Sequence, residues 1–125
     1  MKIVFDTYAW IEFFKGTDNG KIVKKYLAEG KVFTPSVVLL ELSYKADREG
    51  WDFQKHLNFI KLNSEIVGLN ENFILNFGKV YNKTRKNVRD MGIVDVVVLN
   101  TAIINDSQIL TGDKHFEKIE RSIIF

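Results

Sequence analysis

Two rhythms of apolar residues alternate along this chain. Short unbroken runs, apolar at successive positions, occur at Lys2–Phe5, Lys31–Thr34, Glu65–Leu69, Gln108–Thr111 and Ser122–Phe125, and they predict strands. Between them the apolar residues return every third or fourth position, the spacing of one helical face. Thr7–Lys15 carries Trp10, Phe13 and Phe14 at that spacing, and Asn19–Glu29 carries Ile22, Val23, Tyr26 and Leu27. Pro35–Arg48, Trp51–Leu62, Glu71–Asn87 and Ile93–Asn105 continue the series. Thr34 is placed to cap the third helix with Pro35 at its first position, and Asn70 to cap the fifth. The segment GIVDVVVLNTAII is rich in β-branched residues, which favours a strand, but it is long for one and is assigned to a buried helix. Strands without an exposed face, alternating with helices, predict an α/β fold: a parallel five-stranded sheet flanked by helices on both faces.

Composition narrows the class without changing that picture. The 125 residues contain no linker, repeat or low-complexity stretch and suit one domain, 1–125, with one core. There is no cysteine, which removes disulfides, thiolate chemistry and cysteine-built zinc sites. His56 and His115 lack the spacing of a zinc pair. No apolar run approaches the ~20 residues that cross a bilayer. An acidic residue at position 6 interrupts any secretory h-region, so no membrane association and a cytoplasmic location are expected. The net charge of +2 is too small to imply a polyanionic partner. Its distribution says more. NKTRKNVRD gathers Lys83, Arg85, Lys86 and Arg89 against Asp90 alone, a strip suited either to phosphates or simply to water on a helix face.

The acidic residues carry the chemistry. Asp6 ends the first strand, and Asp113 comes after the fourth, beyond Gly112, which permits a sharp turn. Ligands of parallel α/β sheets gather beyond the carboxyl ends of the strands, so both acids belong at one rim if those strands are neighbours. Each could equally be a helix N-cap. Glu41 interrupts VVLLEL and Asp95 interrupts IVDVVVL, each the only charge in a run expected to face the core. Burying a carboxylate is costly unless it is paired or binds a cation. The plain alternatives are an ion pair of Glu41 with Lys45, worth only ~0.2–0.5 kcal/mol, and a capping role for Asp95. Four acids without cysteine or histidine suit a hard cation, Mg²⁺ or Mn²⁺, of the kind that activates water against a phosphodiester. The stripe of Trp10, Phe13 and Phe14 is assigned to the core rather than to base stacking, and His115, just past Asp113, to an exposed loop rather than to assisting proton transfer.

Four segments, IVFDTYAWIEFF, TPSVVLLELSYK, GIVDVVVLNTAI and ILTGDKHFEKI, in this order and at this chain length, resemble the PIN domain family. The likeness is greatest to the small stand-alone PIN proteins of VapC-type toxin–antitoxin systems and covers essentially the whole chain. It implies that Asp6, Glu41, Asp95 and Asp113 match the family's metal-holding acidic quartet. Thr7 and Thr111 match its supporting hydroxyl positions. It further implies an endoribonuclease, a homodimer, and a cognate antitoxin whose tail occupies the acidic groove. Lys83, Arg85, Lys86 and Arg89 would then meet the RNA backbone. Val96 stands where the family often has Ala, and Asp90 is an alternative ligand if that segment is registered differently. Two other functions compete: an RNA-processing nuclease outside toxin–antitoxin systems, and a non-catalytic binding module. A haloacid-dehalogenase-like phosphatase is set aside because Tyr8 stands where its second aspartate belongs. A response-regulator receiver falls because no aspartate comes after the third strand.

Overall fold

The computed structural model describes residues 1–125. Its strands are β1 (Lys2–Phe5), β2 (Lys31–Pro35), β3 (Glu65–Val67), β4 (Gln108–Thr111) and β5 (Ser122–Ile124). Six helices connect them: α1 (Thr7–Lys15), α2 (Asp18–Glu29), α3 (Ser36–Glu49), α4 (Phe53–Asn63), α5 (Glu71–Asn87) and α6 (Ile93–Ile104). A single 3-10 turn, Lys114–Phe116, lies between β4 and β5. All strand pairs are parallel, in the order β3-β2-β1-β4-β5. The predicted α/β architecture is therefore the observed one, with boundaries moved by a residue or two.

The central strand explains why both faces need helices. Successive side chains of β1 point to opposite faces, yet Ile3, Val4 and Phe5 are all fully buried. Trp10 of α1 fills the space beside them, its ring edge-on to Phe5 with centroids 5.1 Å apart. The indole N–H donates to Thr34 Oγ1 at 3.1 Å, and the Thr34 and Ser64 hydroxyls lie 2.8 Å apart. This corrects the expected cap. Thr34 belongs to β2, Pro35 is the residue at the head of α3, and that helix has no side-chain cap. A buried indole N–H needs an acceptor, and Thr34 supplies it. Asn70 does cap α5, accepting the Phe73 N–H at 2.9 Å.

The β-branched segment is helical. Every residue of α6 from Val96 to Ala102 is buried. Its propensity penalty is a few tenths of a kcal/mol per residue, whereas fully burying one Val or Leu side chain gives about 1.5–3 kcal/mol. Burial wins. Close approach of α1 and α2 is possible because Gly20 lacks a Cβ, which would stand 2.1 Å from the Glu12 carbonyl oxygen. No helix is long and apolar enough to cross a membrane.

The strand order reverses direction between β1 and β4: β2 and β3 lie to one side, β5 to the other. At such a switch point the connections leave in opposite directions and open a crevice at the carboxyl ends of the strands. Ile3, Val4 and Phe5 lie in register with Gln108, Ile109 and Leu110, so β1 and β4 end side by side. Asp6 comes directly after β1, while Thr111 closes β4 with Gly112 and Asp113 next in the chain.

Candidate metal centre

Asp6 is both of the things its position allowed. Its backbone is extended, and it caps α1, the Ala9 N–H donating to Oδ1 at 2.9 Å. Its second oxygen, Oδ2, accepts the hydroxyl of Thr111 from the end of β4. Only 5 % of the residue is exposed. Burial pushes its carboxyl up to about 7, opposed by the Thr111 and Ala9 hydrogen bonds and reinforced by the nearby charges of Asp113 and Asp95. The Thr111 hydroxyl also accepts the Asp113 backbone N–H at 2.9 Å, so one buried oxygen ties the first acid to the last.

Asp113 caps the 3-10 turn, its Oδ1 accepting the His115 N–H at 2.9 Å. Gly112 does not adopt a left-handed conformation. Its missing side chain instead makes room for the Phe125 ring, which a Cβ would meet at 3.0 Å. Asp95 stands in the first turn of α6 and accepts the Gly92 N–H at 3.3 Å, closing that helix terminus. Its carboxyl is held above the usual range, first by burial and then by Asp113, while the Gly92 hydrogen bond and His115 oppose the shift. Glu41 projects from α3 and takes the Thr7 hydroxyl on Oε1 at 2.5 Å. No ion pair joins it to Lys45.

Asp6, Glu41, Asp95 and Asp113 open onto one cleft of about 240 Å³ with Thr7, Tyr8 and Lys45, on an apolar floor of Ile11, Val94 and Val98. The expected order of burial is inverted. Glu41 and Asp95, placed by their apolar neighbours in the core, are half-buried, and the deeply buried acid is Asp6. The reason is helical geometry: a residue one turn from buried neighbours can still point along the helix toward the crevice. Asp90 is exposed and outside the cleft, whereas Asp95 lines it.

His115, assigned from sequence to an exposed loop, is half-buried against two of the acids. His115 Nδ1 lies 3.2 Å from Asp95 Oδ2 and 3.4 Å from Asp113 Oδ1. Its ligand atom and those of the two acids all fall within 4.8 Å of one another. Only the position of His115 two residues after a strand-end aspartate hinted at this, because the turn it sits on has no apolar period.

The four residues of the basic strip have different surroundings. Lys86 and Arg89 line a groove with Lys114, Lys118 and His115 beside the acidic cleft. Lys83 lies around the helix with Thr84 and Lys118. Arg85 is engaged locally, donating to the Tyr81 hydroxyl at 2.5 Å and to the Arg89 carbonyl at 2.8 Å.

Comparison with known proteins bears on the fold and the family. No curated protein matches the chain by sequence. Among solved structures, VapBC2 of Rickettsia felis bound to a promoter DNA fragment is 18 % identical, with a TM-score of 0.76 over 100 % of this chain and 98 % of that one. VapBC-1 of nontypeable Haemophilus influenzae is 20 % identical, with a TM-score of 0.72 over 100 % and 97 %. The sarcin-ricin loop cleaving toxin VapC20 of Mycobacterium tuberculosis is 17 % identical, with a TM-score of 0.65 over 89 % and 91 %. At these identities the likeness is one of fold. The family model of the PIN domain, however, matches residues 3–122, and with that match over nearly its whole length the chain belongs to the PIN domain family.

Proposed function

We propose that this PIN domain, taken as the whole of 1–125, is a metal-dependent endoribonuclease and the toxin of a VapBC-type toxin–antitoxin pair. The observation that carries the reading is the convergence of four carboxylates on one cleft at the switch point of the sheet. The donor set fits a hard divalent ion: it is mainly carboxylate oxygen, contains no thiolate, and leaves its negative charge unbalanced by any ion pair to Lys or Arg. Asp6, Asp95 and Asp113, with Glu41 at the edge, would hold Mg²⁺ or Mn²⁺, which when bound neutralises charge developing on a phosphodiester and acidifies a water.

The chain's own residues account for the remaining work. Glu41, oriented by the Thr7 hydroxyl, takes the proton from the attacking water. The new P–O bond forms as the bond to the leaving ribose oxygen breaks, and that oxygen is protonated from solvent. Thr111 fixes the spacing of Asp6 and Asp113 through its two hydrogen bonds. Ile11, Val94 and Val98 keep bulk water from the floor of the cleft, which strengthens the electrostatics above it. Lys45, in the cleft and outside any ion pair, would meet a non-bridging phosphate oxygen. Lys86 and Arg89, joined by Lys114 and Lys118, hold the RNA backbone beside the cleft; Lys83 and Arg85 extend that surface.

The toxin assignment draws on the VapBC complexes among the similar structures and on the RNA-cleaving toxin VapC20. By the same analogy the chain works in the cytoplasm as a homodimer, silenced by an antitoxin. Asp95→Asn is expected to abolish Mn²⁺-dependent cleavage of RNA while far-UV circular dichroism stays that of the parent. Cleavage by that variant at the parental rate would sink the assignment.

A further inference from the structure

We infer that His115 is a nitrogen ligand of this centre, adding beside Asp95 and Asp113 an imidazole to its carboxylates, a donor that favours Mn²⁺ over Mg²⁺. The inference rests on the metal-dependent reading above and deepens it. His115 Nδ1 stands 3.2 Å from Asp95 Oδ2 and 3.4 Å from Asp113 Oδ1. Adjacent ligands about 2.1 Å from an octahedral ion are separated by roughly 3 Å, and opposite ones by about 4.2 Å. The observed separations match adjacent positions, and one ligand atom from each of the three residues lies within 4.8 Å of the other two.

The hydrogen-bond count points the same way. A neutral imidazole carries one proton, yet two carboxylate oxygens converge on the same ring nitrogen. Nε2 has no protein partner and the side chain is 43 % exposed, so Nε2 is free to carry the proton and leave the Nδ1 lone pair for an ion. The turn that carries the ring is also held in place. The His115 backbone N–H is fixed on Asp113 Oδ1 at 2.9 Å, so ligand and turn are positioned together. Imidazole nitrogen suits transition-metal ions, whereas Mg²⁺ prefers oxygen and water.

Pulsed electron paramagnetic resonance on the tag-free full chain with Mn²⁺ alone tests this without any activity measurement. The chain has only two histidines, and His56 is on α4, stacked on Phe14 at 3.9 Å and outside the cleft. Histidine-nitrogen coupling to Mn²⁺ is expected in the parent and in His56→Ala, and its loss in His115→Ala. Calorimetry should show Mn²⁺ affinity falling about tenfold in His115→Ala, with Mg²⁺ affinity moving less than about twofold. Bound Mn²⁺ without nitrogen coupling in the parent overturns the inference, as does an equal loss of both affinities, the signature of a hydrogen-bond clamp. Coupling in a protein that does not cut RNA leaves His115 as a ligand and refutes the nuclease reading. Cutting without coupling does the reverse.

Discussion

Asp6→Asn is expected to destroy activity and stabilise the metal-free fold at once. The substitution is nearly isosteric: Asn Oδ1 can keep the Ala9 N–H, and Nδ2 can donate to the Thr111 hydroxyl oxygen. What disappears is a charge buried beside two other acids. The folded carboxyl titrates near 7 against 3.8 as an ordinary aspartate. The folded chain therefore binds this proton more tightly than the unfolded one. Its stabilising effect is complete below pH 3.8 and is lost as pH rises through 7. About three pK units at roughly 1.36 kcal/mol each set a ceiling of about 4 kcal/mol, and relaxation around the charge lowers the expected gain in Asp6→Asn to about 2–4 kcal/mol above about pH 7.5. At roughly 4 °C per kcal/mol for a chain of this size, Tm rises by about 8–16 °C.

The assay is thermal and urea unfolding of parent and variant in chelator at about pH 4.5, 6 and 8, values that bracket the titration. Titration of the other acids cancels to first order in the difference. The gain should be small at the acid end and reach its plateau at the alkaline end. Saturating Mn²⁺ should shrink it, because an ion that binds only the folded parent stabilises the parent. A variant no more stable than the parent in the alkaline buffer, or a difference independent of pH, refutes the reasoning.

Thr111→Val keeps the shape of β4 but strips the oxygen that serves both Asp6 and the Asp113 N–H. A loss of about 1–3 kcal/mol in urea unfolding is expected, together with slower cleavage; unchanged stability would mean that this hydroxyl ties nothing together. Lys114→Gln with Lys118→Gln, placed in the cleavage-dead Asp95→Asn protein, should weaken binding of a single-stranded RNA. The slope of log affinity against log salt should fall by about 0.7 for each phosphate no longer neutralised. An unaltered slope would remove the groove beside the cleft from the RNA path.

Much of the architecture was legible because it is local. Strand and helix periods are set by alternation over a few residues, and the parallel sheet is signalled by its inner strands, β1, β2 and β4, which are buried on both faces. Even α6, whose composition argued for a strand, was recovered from its length, since burial outweighs propensity. The acids of the cleft were recognisable for the same kind of reason, as charges ending strands or breaking apolar runs.

What sequence could not determine was direction and neighbourhood. Thr34 looked like a cap because it precedes proline, but the indole of Trp10, distant in the chain, claims its hydroxyl. Glu41 and Asp95 looked buried because their neighbours are, while the deeply buried charge is Asp6, sealed by Thr111 from the adjacent strand. His115 carried no period at all and sits against two of the acids. Lys114 and Lys118 joined Lys86 and Arg89 only across the fold. Hydrophobic pattern determines which elements form, because burial acts on each segment separately. The pairing of β1 with β4 brings Asp6 and Asp113 together, and the packing of α3 and α6 beside that crevice adds Glu41 and Asp95, so only the tertiary fold decides which carboxylates share one field.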